Sequence, residues 1–368
     1  MNRRALIWII PAAILASTAA VLWWLTRSLP VLTVTTWPGP YARAQAIAIL
    51  HPYGEDKHVN VRIAEYDGGL DHLRREVTTR TYDWDVIDFE LADAVAACRL
   101  GLLESIDRTS LPPAGDGTVA TNDFVLGALG PCWVGSVVFS QVVAYAPEQF
   151  AANKPQTLAD FFNTRTFPGP RALRRASPKL NLELALLADG VSSERIYPLL
   201  STSAGVARAL AKLSTLHGSI VWWTRSAEPI EMLRDGRATF ATSLDGSVFD
   251  AQTHGHDVGV IWDRQLYELD VFGVPKGDPR RDRAVDFIHY ATDTAVLARV
   301  AQWVPYGPAR HSSLPLVGSN PESGVAMRSR LPTATENFST AFAVDDEWWL
   351  LHEARLMPQW QRWLEDNR

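Results

Sequence analysis

The chain has 368 residues, 47% of them apolar and 21% charged, with a formal net charge of -6. That length exceeds a typical single core and predicts two lobes, and the composition excludes a disordered chain. The acidic balance argues against a nucleic-acid partner and is compatible with a cationic small ligand.

The N-terminus opens with Met1-Asn2-Arg3-Arg4, followed by an uncharged run from Ala5 to Leu25. As a helix that run would span about 32 Å, close to one bilayer core. Ser17 to Ala20 offers a small-residue cleavage site, yet the apolar run continues through Trp23 and Trp24. Residues 1-30 therefore read as a signal peptide or a signal anchor. The basic residues ahead of the run place the body outside the cytoplasm, either free or held to the inner membrane by residues 5-25. Export permits disulfides, and the chain has two cysteines, Cys98 and Cys132. A bridge between them and a pair of buried thiols are both open.

The body alternates strands and helices. Residues 32-37 form a strand, 43-50 a helix, and 59-66 a strand with alternating Val59, Val61 and Ile63. Asp67 to Gly69 is a turn, 70-79 a helix, 84-90 a buried strand and 92-101 a helix closed by Gly101. This order predicts a doubly wound sheet. A long apolar strand covers 135-145. Further helices are expected at 157-162, 181-189, 204-216, 228-235 and 281-291. Strands are expected at 221-223, 238-243, 257-262 and 268-275, and the last 60 or so residues read as mainly helical.

Ligands of open α/β sheets sit beyond the carboxyl ends of the strands. The residues there are Trp37 to Tyr41, Asp67 to Gly69, Asp88 to Glu90, Trp222 and Trp223, Asp245 to Ser247, and Asp270. Aromatic faces hold a cation and a carboxylate pairs with it, so this set suits a small amine. Strand alternation lets at most one of Trp222 and Trp223 face the cleft. The chain has no GxSxG elbow, P-loop, GxGxxG or HExxH motif. His254-Gly255-His256 lacks clustered partners and reads as a solvated loop, so neither a metal, a cofactor nor a catalytic constellation is expected.

Several segments carry a family likeness in order along the body. They include WPGPY (37-41), YDGGLDHL (66-73), WDVIDFE (84-90), ACRLGLLESID (97-107) and PCWVGSVVFSQVVAY (131-145). Further on come PGPRALRR (168-175), LELALLADGV (182-191), VWWTRSAEPIEMLRDG (221-236), DVFGVPKG (270-277), WVPYGPAR (303-310) and VDDEWW (344-349). The chain thereby resembles the periplasmic solute-binding proteins of ABC importers, in the branch of spermidine and putrescine binders and their relatives.

The resemblance implies a type II periplasmic-binding-protein fold of two α/β lobes closing on a ligand. Lobe 1 would hold residues 32-138 and 246-290, lobe 2 residues 139-245 and 291-368. It implies a non-enzymatic monomer that captures a small amine or zwitterionic solute for a membrane permease. Trp37, Tyr41, Glu90 and Asp270 would contact the ligand, with Tyr306 and Gln302 near a late cleft segment. Asp67, Trp222 and Asp245 complete the candidates from the strand ends. Two departures bear on the ligand. Pro38 and Pro40 stiffen the first motif, and basic residues (Arg174, Arg175, Lys179) stand where polyamine binders carry an acidic pair. One acidic and one basic end would suit an ω-amino acid. A membrane-tethered receptor using the same fold is the alternative function, and an exported hydrolase a more distant one.

Overall fold

The computed structural model describes residues 29-150 and 153-367. The expected N-terminal signal or anchor segment lies outside the described residues. Among the described residues no helix is long and apolar enough to cross a membrane.

The first half begins with β1 (Val31–Thr36). It leads into α1 (Pro40–Gln45), a π-helical turn (Ala46–Leu50) and α2 (His51–Lys57). The helix expected to stop at Leu50 thus runs on past Pro52. Proline lacks an N–H, and the wider π turn before it absorbs the missing bond. Next come β2 (Asn60–Glu65), α3 (Asp71–Thr79), β3 (Val86–Glu90) and α4 (Leu91–Arg99). The long β4 (Val134–Tyr145) crosses into the second half.

The second half holds α5 (Leu158–Phe162), β5 (Arg171–Arg174), α6 (Asn181–Ala188) and α7 (Ser203–Ser214). It continues with β6 (Ile220–Trp223), α8 (Glu228–Arg234), β7 (Phe240–Leu244) and α9 (Asp245–Thr253). Then β8 (Gly259–Gly273) returns across the molecule to α10 (Arg281–Ala291) and α11 (Thr294–Trp303). Two short strands, β9 (Gly307–Pro308) and β10 (Phe342–Ala343), precede α12 (Asp346–Asp366). The stretch between Arg310 and Asp345, expected to be helical, is mostly turns and short 3-10 segments.

The ten strands among the described residues share one sheet, in the order β2-β1-β3-β8-β4-β7-β5-β6, with β10 beside β8 and β9 beside β4. The outer strands β2-β1-β3 and β7-β5-β6 are parallel within each set, and antiparallel β4 and β8 join the two sets. The doubly wound halves are therefore present, and the crossover consists of strands. The region expected as two strands at 257-262 and 268-275 is the single β8. Its polar middle reads as a loop, but those side chains find distant partners. Asp263 accepts the Leu158 N–H at 3.0 Å, and Gln265 donates to the carbonyls of Pro332 and Asn337 at 2.8 and 2.7 Å. Burial with partners costs little, whereas burial without them costs several kcal/mol, roughly 2–7.

A first core gathers Val34, Val86, Phe89, Phe272 and Phe287. A second gathers Phe161, Leu186, Phe240 and Trp360, and a third, smaller group Val142, Ala172, Trp223, Ala241 and Val248. Val296, Val300, Val304 and Ala309 belong to the first core, although the expected boundaries assign residues after 290 to lobe 2. Val248, Ala251 and Val258 pack with β7, although those boundaries assign 246-290 to lobe 1. The chain crosses between halves through β4 and β8 themselves, so sequence position divides the halves less sharply than packing does. Cys98 and Cys132 are joined in a disulfide, with Cα atoms 5.9 Å apart, tying the end of α4 to the entry of β4.

Candidate functional site

The carboxyl ends of the two parallel sets converge beside the crossover. On the first side β1 ends at Thr36. Trp37 and Pro38 follow, then Gly39 at φ 88°, a left-handed backbone that disfavours any side chain. Pro40 is the first residue of α1, where its fixed φ and missing N–H are both tolerated. The turn holds the two aromatics apart. Trp37 is half-buried, edge-on to Tyr66 at 4.8 Å between ring centres. Tyr41 is turned inward and buried, its hydroxyl donating to Asp88 Oδ2 at 2.7 Å.

Asp88 is wholly buried and also accepts from Ser136 Oγ at 2.9 Å and from Gln45 Nε2. Two residues along β3, on the same face, stands Glu90. Its register partner on β8 is Asp270, which is buried. Asp245, the first residue of α9, is buried as well, and its Oδ1 accepts the Ser140 N–H at 2.9 Å. Tyr306 lies edge-on to Tyr41 at 5.6 Å and to Phe139 at 6.5 Å. The structure thus brings together Trp37, Tyr41, Glu90, Asp245, Asp270 and Tyr306.

The electrostatics follow from burial. Desolvation pushes the Asp245 carboxyl up to about 7, against the pull of the Ser140 and Gly246 N–H groups. Asp270 is raised by desolvation, then by the charges of Asp88 and Glu90, with the Trp37 indole opposing. Asp88 is raised by desolvation despite its three donors. Glu90 is open to water, yet the surrounding protein and the neighbouring Glu268 push it up to about 7, with Lys179 opposing. The Tyr306 hydroxyl is raised by desolvation and then by the charges of Asp245 and Asp270. Among the described residues, Asp245 Oδ2 and Asp270 Oδ1 are buried without a hydrogen-bond partner. Such orphaned oxygens are expensive in an empty protein and are suited to a donor arriving from outside.

Other expected residues stand elsewhere. Trp222 packs edge-on against Trp360 and Trp363 of α12, at 5.9 and 6.1 Å, outside this group. Trp223 is buried and donates to Thr242 Oγ1 at 3.2 Å. Asp67 is the exposed corner of its turn, where Gly68 and Gly69 take φ 94° and 78°. The backbone carbonyl of Gln302 accepts from Asn320 Nδ2 at 2.9 Å, and its side-chain amide lies beside Gly318. Of the basic candidates, Lys179 is ion-paired with Glu268 and with Asp346, the latter at 2.7 Å. Arg175 is exposed and lies 5.9 Å from the Trp222 ring centre. Arg174 ends β5, half-buried beside Trp223 at 6.0 Å, and makes no ion pair among the described residues. It sits one strand from β7, whose end leads into Asp245.

Asp88 stood in the strand-end set without a role of its own, and Gln45 and Ser136 were not among the candidates. The spacing of Asp88 and Glu90 on one strand put both on one face and was the available signal; the partners from α1 and β4 had none. Elsewhere His72, Glu76 and Asp83 bring potential ligand atoms within 4.8 Å of one another. Glu76 Oε1 already accepts the N–H groups of Asp83 and Trp84, at 2.7 and 3.1 Å, which gives it a role in closing that loop.

The family described as bacterial extracellular solute-binding protein matches residues 48–327. The chain belongs to this family. This solute-binding protein is 35% identical over 332 residues, 90% of each chain, to a gamma-aminobutyric acid-binding protein of Pseudomonas aeruginosa. Its structure is similar to that of an ABC transporter substrate-binding protein from Bradyrhizobium japonicum USDA 110. The TM-score is 0.76 and the identity 26%, covering 91% of this chain and 99% of that one. It is also similar to a GABA receptor, with a TM-score of 0.72 and 27% identity, covering 90% of this chain and 97% of the other. The solute-binding role that the motifs implied is that of the family, and the mixed α/β fold is shared with these solved structures.

Proposed function

We propose that this solute-binding protein serves an ABC importer and captures a zwitterionic ω-amino acid, γ-aminobutyrate first among them, for delivery to a membrane permease. The ammonium group sits against Asp270, with Glu90 and Asp245 adding negative potential and Trp37, Tyr41 and Tyr306 offering aromatic faces. The carboxylate meets Arg174 at the end of β5. The lobes divide at β4 and β8, with the segment through Ala309 moving with the first half, and ligand shifts an open–closed equilibrium.

The observation that carries this reading is the convergence of buried acids and aromatic rings around Asp270, whose Oδ1 has no partner among the described residues. The similarity to a gamma-aminobutyric acid-binding protein supports it. A long polyamine is disfavoured, because Arg174 at the far end would repel its second ammonium. A thermal-shift screen with γ-aminobutyrate, other ω-amino acids, putrescine, spermidine and betaines tests the assignment. A ligand at 100 times its Kd should add about 2.7 kcal/mol. Stabilisation by γ-aminobutyrate is expected; stabilisation by sugars or inorganic anions alone would sink the amine reading.

A further inference from the structure

Asp88 and Asp270 stand on adjacent strands, β3 and β8. Asp88 pairs with Phe272 in the register, and Asp270 lies two residues along, so both project from the same face. Diagonal neighbours of this kind lie about 7 Å apart. Asp88 is 0% and Asp270 5% exposed. Two carboxylates sharing such a dry site do not both ionise readily.

Their surroundings differ. Asp88 accepts from Tyr41, Ser136 and Gln45, which favours its charged form. Asp270 faces the Trp37 indole, and its Oδ1 has no partner among the described residues. The other titratable groups around it are Glu90 on β3, Glu268 on β8, Tyr41 on α1, Tyr306 after α11 and Asp245 on α9. Every one of these is an acid or a neutral phenol. Lys179, the cation that acts on Glu90, is held by Glu268 and Asp346.

We propose that Asp270 carries a proton in the empty site and that the ammonium group of the bound solute takes its place, so that binding releases a proton. This rests on the ω-amino-acid reading and adds its regulation by pH. The exchange balances. The solute enters as a cation at its amine, the Asp270 carboxylic acid gives up its proton to buffer, and the carboxylate formed accepts an ammonium N–H at Oδ1. Affinity then rises with pH while empty Asp270 is still protonated, by at most about tenfold per pH unit, and levels off once it is ionised.

Calorimetric titration of γ-aminobutyrate in buffers of different ionisation enthalpy, from pH 5.5 to 8, tests the exchange. The observed heat should depend on the buffer, with up to one proton released per site, and the dependence should vanish in Asp270→Asn if residual binding is measurable. Infrared difference spectra supply a second readout. The empty protein should show a protonated-carboxyl band that disappears on adding γ-aminobutyrate and is missing in Asp270→Asn. Binding with buffer-independent heat and no such band overturns the proton exchange and leaves the proposed function standing. Failure of every ω-amino acid to bind, with the protein folded, overturns both.

Discussion

Asp270 and Glu90 face each other directly across the β3–β8 pair, the first buried and the second open to water. Like charges placed opposite each other on a sheet destabilise it. A proton held on Asp270 relieves that cost in the empty protein and, on the proposed reading, an arriving ammonium group relieves it in the complex; the first prediction follows from this.

Asp270→Ala should weaken γ-aminobutyrate binding at least tenfold in calorimetry, because the ammonium loses its direct acceptor. The empty variant should melt no lower than the wild type at pH 7.5. Removing a desolvated acid whose Oδ1 has no hydrogen-bond partner among the described residues offsets the small cavity that is left. Unchanged affinity would remove Asp270 from the site.

Arg174→Ala should separate the two ends of the ligand. Affinity for γ-aminobutyrate should fall about tenfold, the loss expected when one charged hydrogen bond goes. Binding of a monoamine of similar length should change far less. Equal losses for both would place the ligand's carboxylate elsewhere.

Asp245 predicts an unusual pH profile for the empty protein. Its carboxyl is raised by burial from 3.8 to about 7. Between those values the folded state binds the proton more tightly than the unfolded chain does, so this group's contribution to stability falls as pH climbs from 4 to 7. Asp245→Asn should flatten that fall. Melting curves at pH 5, 6, 7 and 8 should converge for the variant relative to wild type, at about 2–4 °C per kcal/mol.

Lys179 is the counterion of Glu268 and Asp346, with side-chain exposures of 18%, 15% and 2% respectively. Lys179→Met strands two acids in a poorly hydrated place and should cost about 3–5 kcal/mol by chemical denaturation at pH 8. The loss should shrink at pH 5, where the stranded acids can take protons. A pH-independent loss would point to packing of the Lys179 stem instead.

The Cys98–Cys132 bridge closes a loop with a sequence separation of 34. Its removal in the double serine variant should cost about 4 kcal/mol. Ligand affinity should hold within about twofold, because the bridge ties α4 to the entry of β4 within the first core.

Much of the fold was legible because its elements are locally consistent. The alternation in β2, the apolar runs of β3 and β4, and the glycine stops after several helices are nearest-neighbour signals. Trp37, Tyr41, Glu90, Asp270 and Tyr306 were legible through strand-end position and ordered motifs. β5 was not, since Arg171 and Arg174 at its ends look like loop residues. Arg171 is nevertheless wholly buried, with Nε donating to the Phe161 carbonyl at 2.9 Å.

The sequence by itself determined an acidic, exported-looking α/β chain whose first strand ends in a proline-stiffened aromatic turn. Local sterics and residue chemistry act over a few positions and are written along the chain. Tertiary structure decided which charges remain available. Lys179 is cancelled by Asp346, 167 positions away, while Tyr41 commits its hydroxyl to Asp88, 47 positions away. A charge's worth depends on its desolvation and its partners, and both are properties of the packed molecule.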